Sequence, residues 1–197
     1  MKQITPGISD SQFIRGQVPM TKEEVRVLSI CKLHLDENSI VYDIGSGTGS
    51  VAVEIARLSE KIKVYAIETK PEAVSLIKEN TQKFGLKNIE VVESLAPAGL
   101  EKLPAASHAF IGGTKGQFKK ILSALYQINP AMRIVVNAIT LESISNIQKE
   151  LSDLCINYEC LQMSFSRSEK AGSYHLMKAE NPVYIFSFNL NDKSGEC

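Results

Sequence analysis

The chain has 197 residues, of which 44% are hydrophobic and 22% are charged, and this composition excludes the disordered and fibrous classes of protein. Its 22 Lys and Arg residues balance its 22 Asp and Glu residues, so no net field draws the molecule to nucleic acid or to an anionic membrane. No stretch provides the ~20 apolar residues of a membrane-spanning helix, and the first residues lack the apolar core of a secretory signal. We therefore expect one cytoplasmic domain over residues 1–190 with a polar tail at 191–197.

The predicted elements begin after an irregular arm, because the first 20 residues carry no periodic pattern. Thr21 and Glu24 have the spacing of a capping box and predict the start of a helix. From Ser39 onward, β-like and helical stretches alternate along the chain. The predicted strands are 40–44, 63–67, 89–92, 108–111 and 133–137, and the predicted helices are 50–58, 71–84, 117–126 and 141–154.

The helix predicted at 71–84 has the clearest local signals. Its apolar residues recur at three- and four-residue steps, which indicates one buried face. Thr69 and Glu72 have the spacing of a second capping box. Gly85 follows the last periodic residue, where a left-handed helix terminator is expected.

Strands that alternate with helices predict a parallel sheet covered by helices on both faces. Two further β-like stretches, 157–165 and 182–188, are separated only by the polar segment 166–180. They predict an antiparallel strand pair that completes the sheet. The predicted fold class is therefore α/β and Rossmann-like, with a seven-stranded, mostly parallel sheet and an antiparallel terminal strand.

A glycine-rich loop follows the first predicted strand and carries the strongest functional signal. Glycines let the backbone approach a ligand closely, and the first N–H groups of the next helix face the same space. The spacing G-x-G-x-G, with Asp43 two residues before it, differs from the dinucleotide fingerprint and resembles motif I of class I S-adenosylmethionine (SAM) methyltransferases. A turn without a ligand is the alternative. The predicted cofactor contacts in this loop are Gly45, Ser46, Gly47, Thr48 and Gly49.

An acidic residue at the end of the second strand supports the same interpretation. Glu68 lies about 20 residues past the glycine loop, where a carboxylate can accept hydrogen bonds from both hydroxyls of a ribose. The alternative is a solvated charge in front of a helix. Together, the loop and Glu68 predict a cofactor that contains a nucleoside.

Three later strand ends give weaker signals. The third strand ends in Ser94 and Leu95, so no carboxylate is available there for an adenine amine, although the backbone at Ala96 can border that ring. Two glycines after the fourth strand leave room for a methyl acceptor. Asn137 and Glu142, after the fifth strand, are candidate acceptor contacts, and Glu142 is equally explained as a first-turn helix acid.

Several segments taken together resemble the cobalt-precorrin carbon-15 methyltransferase (decarboxylating) family of cobalamin biosynthesis, over Gly7 to about Phe188. They are G-x-x-D-x-x-F-I-R from Gly7, P-M-T-K-x-E-V-R from Pro19, the glycine-loop segment 43–54, F-I-G-G from Phe110, N-A-I-T-L-E from Asn137, and N-P-V from Asn181.

The resemblance implies SAM as methyl donor and a precorrin-type tetrapyrrole as acceptor, with methylation at carbon-15 and decarboxylation of the carbon-12 acetate. It also implies a homotetramer and, as a possible partner, a separate carbon-5 methylase. The family's SAM contacts correspond to Thr21, the glycine loop, Glu68 and Ala96. The pair Ser94 and Leu95 departs from the family's usual Gly-Asp.

Cations near the cleft are expected because a precorrin carries several carboxylates, which guanidinium groups pair with well. The candidates are Arg15, Arg26, Lys115 and Arg167, each of which could equally be a solvated surface charge. No catalytic side chain is predicted, since SAM itself brings the electrophilic methyl group. No metal ligands are predicted, because the cysteines lack zinc-site spacing.

Three other functions remain open at the level of sequence. A class I methyltransferase could act on RNA or protein, although the balanced charge and the absence of Trp give RNA no support. The Ser94-Leu95 departure would suit a non-catalytic SAM-binding subunit. A nucleotide-linked dehydrogenase is disfavoured by the glycine spacing.

Overall fold

The computed structural model describes residues 5–195. The helices are α1 (Glu23–Leu33), α2 (Ser50–Leu58), α3 (Pro71–Lys83), α4 (Phe118–Ile128) and α5 (Leu141–Asp153). The strands are β1 (Ile40–Ile44), β2 (Lys63–Glu68), β3 (Ile89–Glu93), β4 (His108–Ile111), β5 (Arg133–Ala138), β6 (Glu159–Met163), β7 (Ser166–Ala171), β8 (Tyr174–Ala179) and β9 (Val183–Asn189). Every predicted strand and helix from 40 onward is present, with ends within two residues of the prediction.

Seven strands form one sheet in the order β3-β2-β1-β4-β5-β9-β6. The pairs from β3 to β5 are parallel, whereas β9 runs antiparallel to both β5 and β6. The mostly parallel sheet with an antiparallel terminal strand is therefore confirmed. Ile44 pairs with Ile67 of β2 and Ile111 of β4, so three carboxyl ends meet at one level of the sheet edge.

Alternation along the buried strands divides the core into two layers. On β1, Tyr42 and Ile44 pack in the cluster that includes Phe118 of α4, whereas Val41 packs with Ile55 of α2. Helices α1, α2 and α3 thus cover one face of the sheet, and α4 and α5 cover the other. Because helices cover both faces of the sheet, the ends of its strands are the region that a ligand can reach.

The polar segment 166–180, in which the sequence analysis assigned no strand, forms a second two-stranded sheet from β7 and β8. Its strands are mostly exposed, so they show no apolar alternation that sequence reasoning could detect. Tyr174 and Met177 are 74% and 68% exposed on this hairpin.

Both predicted capping boxes are wrong. Helix α1 begins after Lys22, and no side chain caps it. Helix α3 begins at Pro71, with Lys70 before it and again no side-chain cap, because proline at the first position supplies helical φ without needing an N–H partner. The predicted terminator is confirmed, since Gly85 has φ +65°.

Parts of the two predicted terminal segments pack on the domain. In the arm, Ile8, Phe13 and Val18 are buried. In the tail, Lys193 pairs with Ile156, while residues 1–4 and 196–197 lie outside the described range. Within the described residues, no helix has the length and apolar character to cross a membrane.

Candidate functional site

A cleft of about 430 Å³ opens at the carboxyl ends of the five strands β1 to β5. The N-terminal arm and the segment before β9 close its sides. The sequence-predicted residues that line it are Thr21, Gly45, Ser46, Gly47, Glu68, Ala96, Lys115 and Asn137. Residues from the arm, the glycine loop and four strand ends, far apart in sequence, therefore share one cavity.

Two glycines of the loop are required by close approach to other backbone. Gly45 has φ +73°, and a Cβ there would lie 2.8 Å from the carbonyl oxygen of Gly113. Gly47 has φ +59°, and its Cβ would lie 3.0 Å from the carbonyl oxygen of Pro19 in the arm. The loop is thus packed between the β4 end and the arm, and a side chain at either position would obstruct it.

The structure does not bring Gly49 and Thr48 into the cleft. A Cβ on Gly49 would lie 3.1 Å from Ile77 of α3, so this glycine allows two helices to pack. Thr48 is 1% exposed, and its carbonyl accepts a hydrogen bond from Asn80 Nδ2 at 2.9 Å. Both residues support the loop from beneath.

Asp43 is fully buried under the glycine loop. Its Oδ2 accepts hydrogen bonds from the Ser46 hydroxyl at 2.6 Å and from the Ala52 amide at 3.2 Å. Burial raises the pKa of Asp43 to about 7 despite these bonds. The carboxyl therefore joins the loop to the start of α2 and does not itself reach a ligand.

Glu68 presents an ionised carboxylate beside the loop. Burial alone would raise the pKa of Glu68, but the amides of Lys70, Thr69 and Gly47 outweigh that effect and hold its pKa below the ordinary value. The distances from these amide nitrogens to the carboxylate are 3.0, 2.7 and 3.1 Å. A carboxylate held charged by backbone donors is a ready acceptor for sugar hydroxyls.

The arm is attached by a buried charge cluster that the sequence analysis missed. Arg26 is 0% exposed, and its Nε bonds Glu54 at 2.6 Å while Nη1 bonds Asp10 at 3.1 Å. Glu54 also accepts bonds from the amides of Gly7 and Ile8. A glutamate inside the apolar stretch 50–58 is the signal that could have revealed this cluster.

Arg26 is therefore not an acceptor contact, and that prediction is corrected. Its guanidinium also donates to the carbonyl of Thr21, which lines the cleft. Because a buried guanidinium with satisfied donors has no capacity left for a carboxylate ligand, Arg26 positions the cleft wall instead of binding substrate.

Two more of the predicted cations, Arg167 and Arg15, lie away from the cleft, and so does Glu142. Arg167 on β7 pairs with Glu24 and, at 3.8 Å, with Asp10. Arg15 is exposed on the arm, and Glu142 is exposed in the first turn of α5. None of these three lines the cavity, so Lys115 alone remains from the predicted cation set.

The opposite side of the cleft is formed by the ends of β4 and β5. Lys115 adopts φ +46°, and its Nζ donates to the hydroxyl of Thr69 across the mouth. Asn137 lies at the end of β5, where its Oδ1 accepts a bond from Ser29 of α1 at 3.1 Å. This side offers polar side chains without a buried charge.

The end of β3 borders the cleft with uncharged residues. Ser94, Leu95 and Ala96 line the cavity. The Ser94 hydroxyl donates to the carbonyl of Ala98 at 2.6 Å, and Leu95 is 46% exposed. Backbone and apolar surface are therefore what the protein offers at this position.

Comparisons with known proteins agree on one family. The family model described as precorrin methyltransferase domain matches residues 12–190. The chain is 39% identical to a probable cobalt-precorrin-6B C(15)-methyltransferase (decarboxylating) of Pyrobaculum calidifontis, over 93% of this chain and 95% of that protein. It is 40% identical to a protein of the same name from Sulfolobus acidocaldarius, over 91% of this chain and 95% of that protein.

Solved structures give the same result. A precorrin-6y C5,15-methyltransferase of Geobacter metallireducens superposes with a TM-score of 0.88 at 32% identity, covering 94% of this chain and 97% of that one. A precorrin 8W decarboxylase of Methanobacterium thermoautotrophicum gives 0.85 at 33% identity, covering 92% and 98%. A SAM-dependent O-methyltransferase of Thermotoga maritima gives 0.73 at 18% identity, covering 88% and 67%, which shows the shared fold alone.

Proposed function

The chain belongs to the precorrin methyltransferase family, and on this premise we propose that it is the cobalt-precorrin carbon-15 methyltransferase (decarboxylating) of cobalamin biosynthesis. It transfers a methyl group from SAM to carbon-15 of a precorrin-6B-type tetrapyrrole, and the carbon-12 acetate loses carbon dioxide. The observation that carries this proposal is the cleft in which the glycine loop meets the ionised Glu68.

The residues of the cleft fit SAM. Gly45, Ser46 and Gly47 line the cavity, so the loop backbone would be accessible to the methionine part of the cofactor. Glu68 would accept hydrogen bonds from the ribose hydroxyls, and the backbone at Ala96 would border the adenine. Thr21 closes the cavity from the arm, where Arg26 holds its carbonyl.

The protein's part in the methyl transfer is alignment and exclusion of water. When bound, SAM supplies an electrophilic methyl group on a sulfonium, so no strong protein base is required at the acceptor carbon. The arm and the β4–α4 loop hold the two reactants at one end of the sheet. This agrees with a cleft whose Glu68 carboxylate is held ionised by backbone donors.

Decarboxylation relies on the acceptor's own conjugation. The bond between the acetate methylene and its carboxylate carbon breaks, carbon dioxide leaves, and the electron pair enters the conjugated ring. A proton from water then replaces the lost group and leaves a methyl substituent. A partly desolvated site favours this step because the departing carboxylate loses hydration.

Calorimetric titration with SAM and with S-adenosylhomocysteine tests the cofactor part of the proposal. We expect micromolar binding of both, followed by methylation and release of carbon dioxide when the precorrin is added. Absence of binding up to millimolar ligand would contradict the proposal. Binding without turnover of the tetrapyrrole would support a non-catalytic SAM-binding subunit instead.

Self-association is a separate part of the proposal. The hairpin β7–β8 exposes Tyr174, Leu176 and Met177 by 74%, 59% and 68%, and such apolar surface suits a contact between copies, in line with the homotetramer implied by family resemblance. Light scattering is expected to give a tetramer that Leu176→Ser weakens. A monomer at micromolar concentration would contradict the proposed tetramer.

The cytoplasmic location and a separate carbon-5 methylase stay predictions.

A further inference from the structure

The mouth of the cleft carries a set of exposed or half-buried side chains of which the sequence analysis assigned only Lys115. We propose that Lys22, Lys70, Lys115, Leu95 and Ile139 form a rim that binds the acceptor, with the lysines pairing its carboxylates and the two apolar side chains contacting its ring. This inference rests on the proposed function and specifies how the acceptor is held. The five residues are called the rim below.

The size of the cleft places the acceptor at the mouth. A cavity of about 430 Å³ lies at the lower end of the range for sites that enclose one small molecule. The glycine loop, Glu68 and the backbone at Ala96 line its floor and would hold the cofactor. A tetrapyrrole macrocycle therefore cannot be enclosed beside the cofactor and must lie across the opening, in contact with the rim.

The charges of the rim match a polycarboxylate. Lys22 precedes α1, Lys70 precedes α3, and Lys115 lies between β4 and α4, so three separate segments bring lysines to one cavity. Their side-chain carbons leave the ammonium groups able to follow carboxylates on flexible substituents. A neutral or cationic acceptor would gain nothing from this arrangement.

These lysines are largely free of competing acids. Glu68 accepts hydrogen bonds from the backbone amides of Gly47, Thr69 and Lys70, and Glu180 approaches Lys22 only at 3.9 Å. Lys115 donates to the neutral hydroxyl of Thr69. Among the described residues that line the cleft, no carboxylate pairs with Lys70 or Lys115, so both are available to a ligand.

The apolar members of the rim lie on opposite sides of the mouth. Leu95 follows β3 and is 46% exposed, and Ile139 follows β5 and is 68% exposed. In the sheet, β2, β1 and β4 separate these two strands. A flat ring that spans the opening covers both side chains, and burial of their apolar surface stabilises the complex.

Uroporphyrin, a flat tetrapyrrole whose side chains all end in carboxylates, serves as the probe. Its absorbance is titrated with protein saturated in S-adenosylhomocysteine. We expect Lys70→Met and Lys115→Met each to weaken binding about fivefold, and the double variant to weaken it about 25-fold. Ile139→Ser is expected to weaken binding at every ionic strength. In the lysine variants, the affinity should depend less on ionic strength than it does in the wild type.

Lys149→Met is the matched control, because Lys149 is exposed on α5 outside the cleft, and its uroporphyrin affinity should equal that of the wild type. Unchanged affinity in the double lysine variant would overturn the rim, as would absence of uroporphyrin binding to the loaded wild type. Failure of the wild type to bind S-adenosylhomocysteine would instead contradict the proposed function. The two failures are thus distinguishable.

Discussion

The two sides of the cleft are built differently. On the side of β1 and β2, Gly45 is packed against the β4 end and Glu68 is held by three backbone amides, so the geometry exists before any ligand arrives. On the side of β4 and β5, Lys115 and Ile139 are exposed, and their positions depend on side-chain rotamers. The comparison teaches that the cofactor side is preorganised by backbone, whereas the acceptor side is completed by its ligand.

The largest effect is expected where the cofactor side depends on buried charge. Arg26→Met leaves Glu54 and Asp10 buried without their cation, and breaking such a pair costs about 3–5 kcal/mol of folding stability. Urea denaturation measures this loss. Arg15→Met, which removes an exposed cation of the same arm, should change stability by less than about 0.5 kcal/mol. Equal stabilities of the two variants would show that the arm is not anchored by the cluster.

A pH dependence is expected from Asp43 on the same side. Because its pKa rises from 3.8 to about 7 on folding, the folded protein binds the proton more tightly, and stability falls as pH rises through that interval. The raised pKa of Asp43 changes the folding stability by at most about 4 kcal/mol over this interval. The variant Asp43→Asn should not show this decrease in stability with rising pH.

Urea denaturation at about pH 5 and about pH 8 checks the Asp43 prediction. The wild type should lose more stability than Asp43→Asn between these two conditions. Asp153→Asn is the control, since Asp153 is exposed at the end of α5, and it should retain the wild-type difference. If Asp43→Asn lost as much stability as the wild type between these two pH values, the titration could not be assigned to Asp43.

A smaller effect, confined to ligand binding, is expected at Glu68. Glu68→Ala removes an ionised acceptor of the ribose hydroxyls and should weaken SAM binding by about 1–3 kcal/mol, which is roughly 5- to 150-fold. Glu93→Ala is the matched control, because Glu93 pairs with Glu68 on the neighbouring strand but does not line the cleft. Calorimetry should show full affinity in the control, and equal losses would remove Glu68 from the site.

The smallest effect is expected on the acceptor side, at Glu142. This exposed acid in the first turn of α5 interacts with the helix dipole, so Glu142→Ala should cost about 0.3–1 kcal/mol of stability. Uroporphyrin affinity should not change, because Glu142 lies outside the cleft. A changed affinity would extend the acceptor site onto α5 and would blur the contrast between the two sides.

The fold could be predicted almost completely from local patterns. The alternation of β-like and helical stretches located every strand of the seven-stranded sheet, because burial on both faces leaves a strong apolar signature in each strand. The exposed hairpin β7–β8 was missed for the opposite reason. The capping box predicted for α3 failed because Pro71 begins the helix by itself and the Thr69 hydroxyl donates to Glu68, a contact that spacing alone does not reveal.

The sequence by itself determined the glycine loop and Glu68, since a strand, a turn and a helix in succession place them at one sheet edge. Only the tertiary structure decided which charges reach the cleft. Arg26 meets Glu54 28 residues away, and Arg167 meets Glu24 143 residues away. Such contacts neutralise both arginines and leave Lys70 and Lys115 at the mouth. A charge is buried or free according to its spatial neighbours, and residue type and spacing do not specify those neighbours.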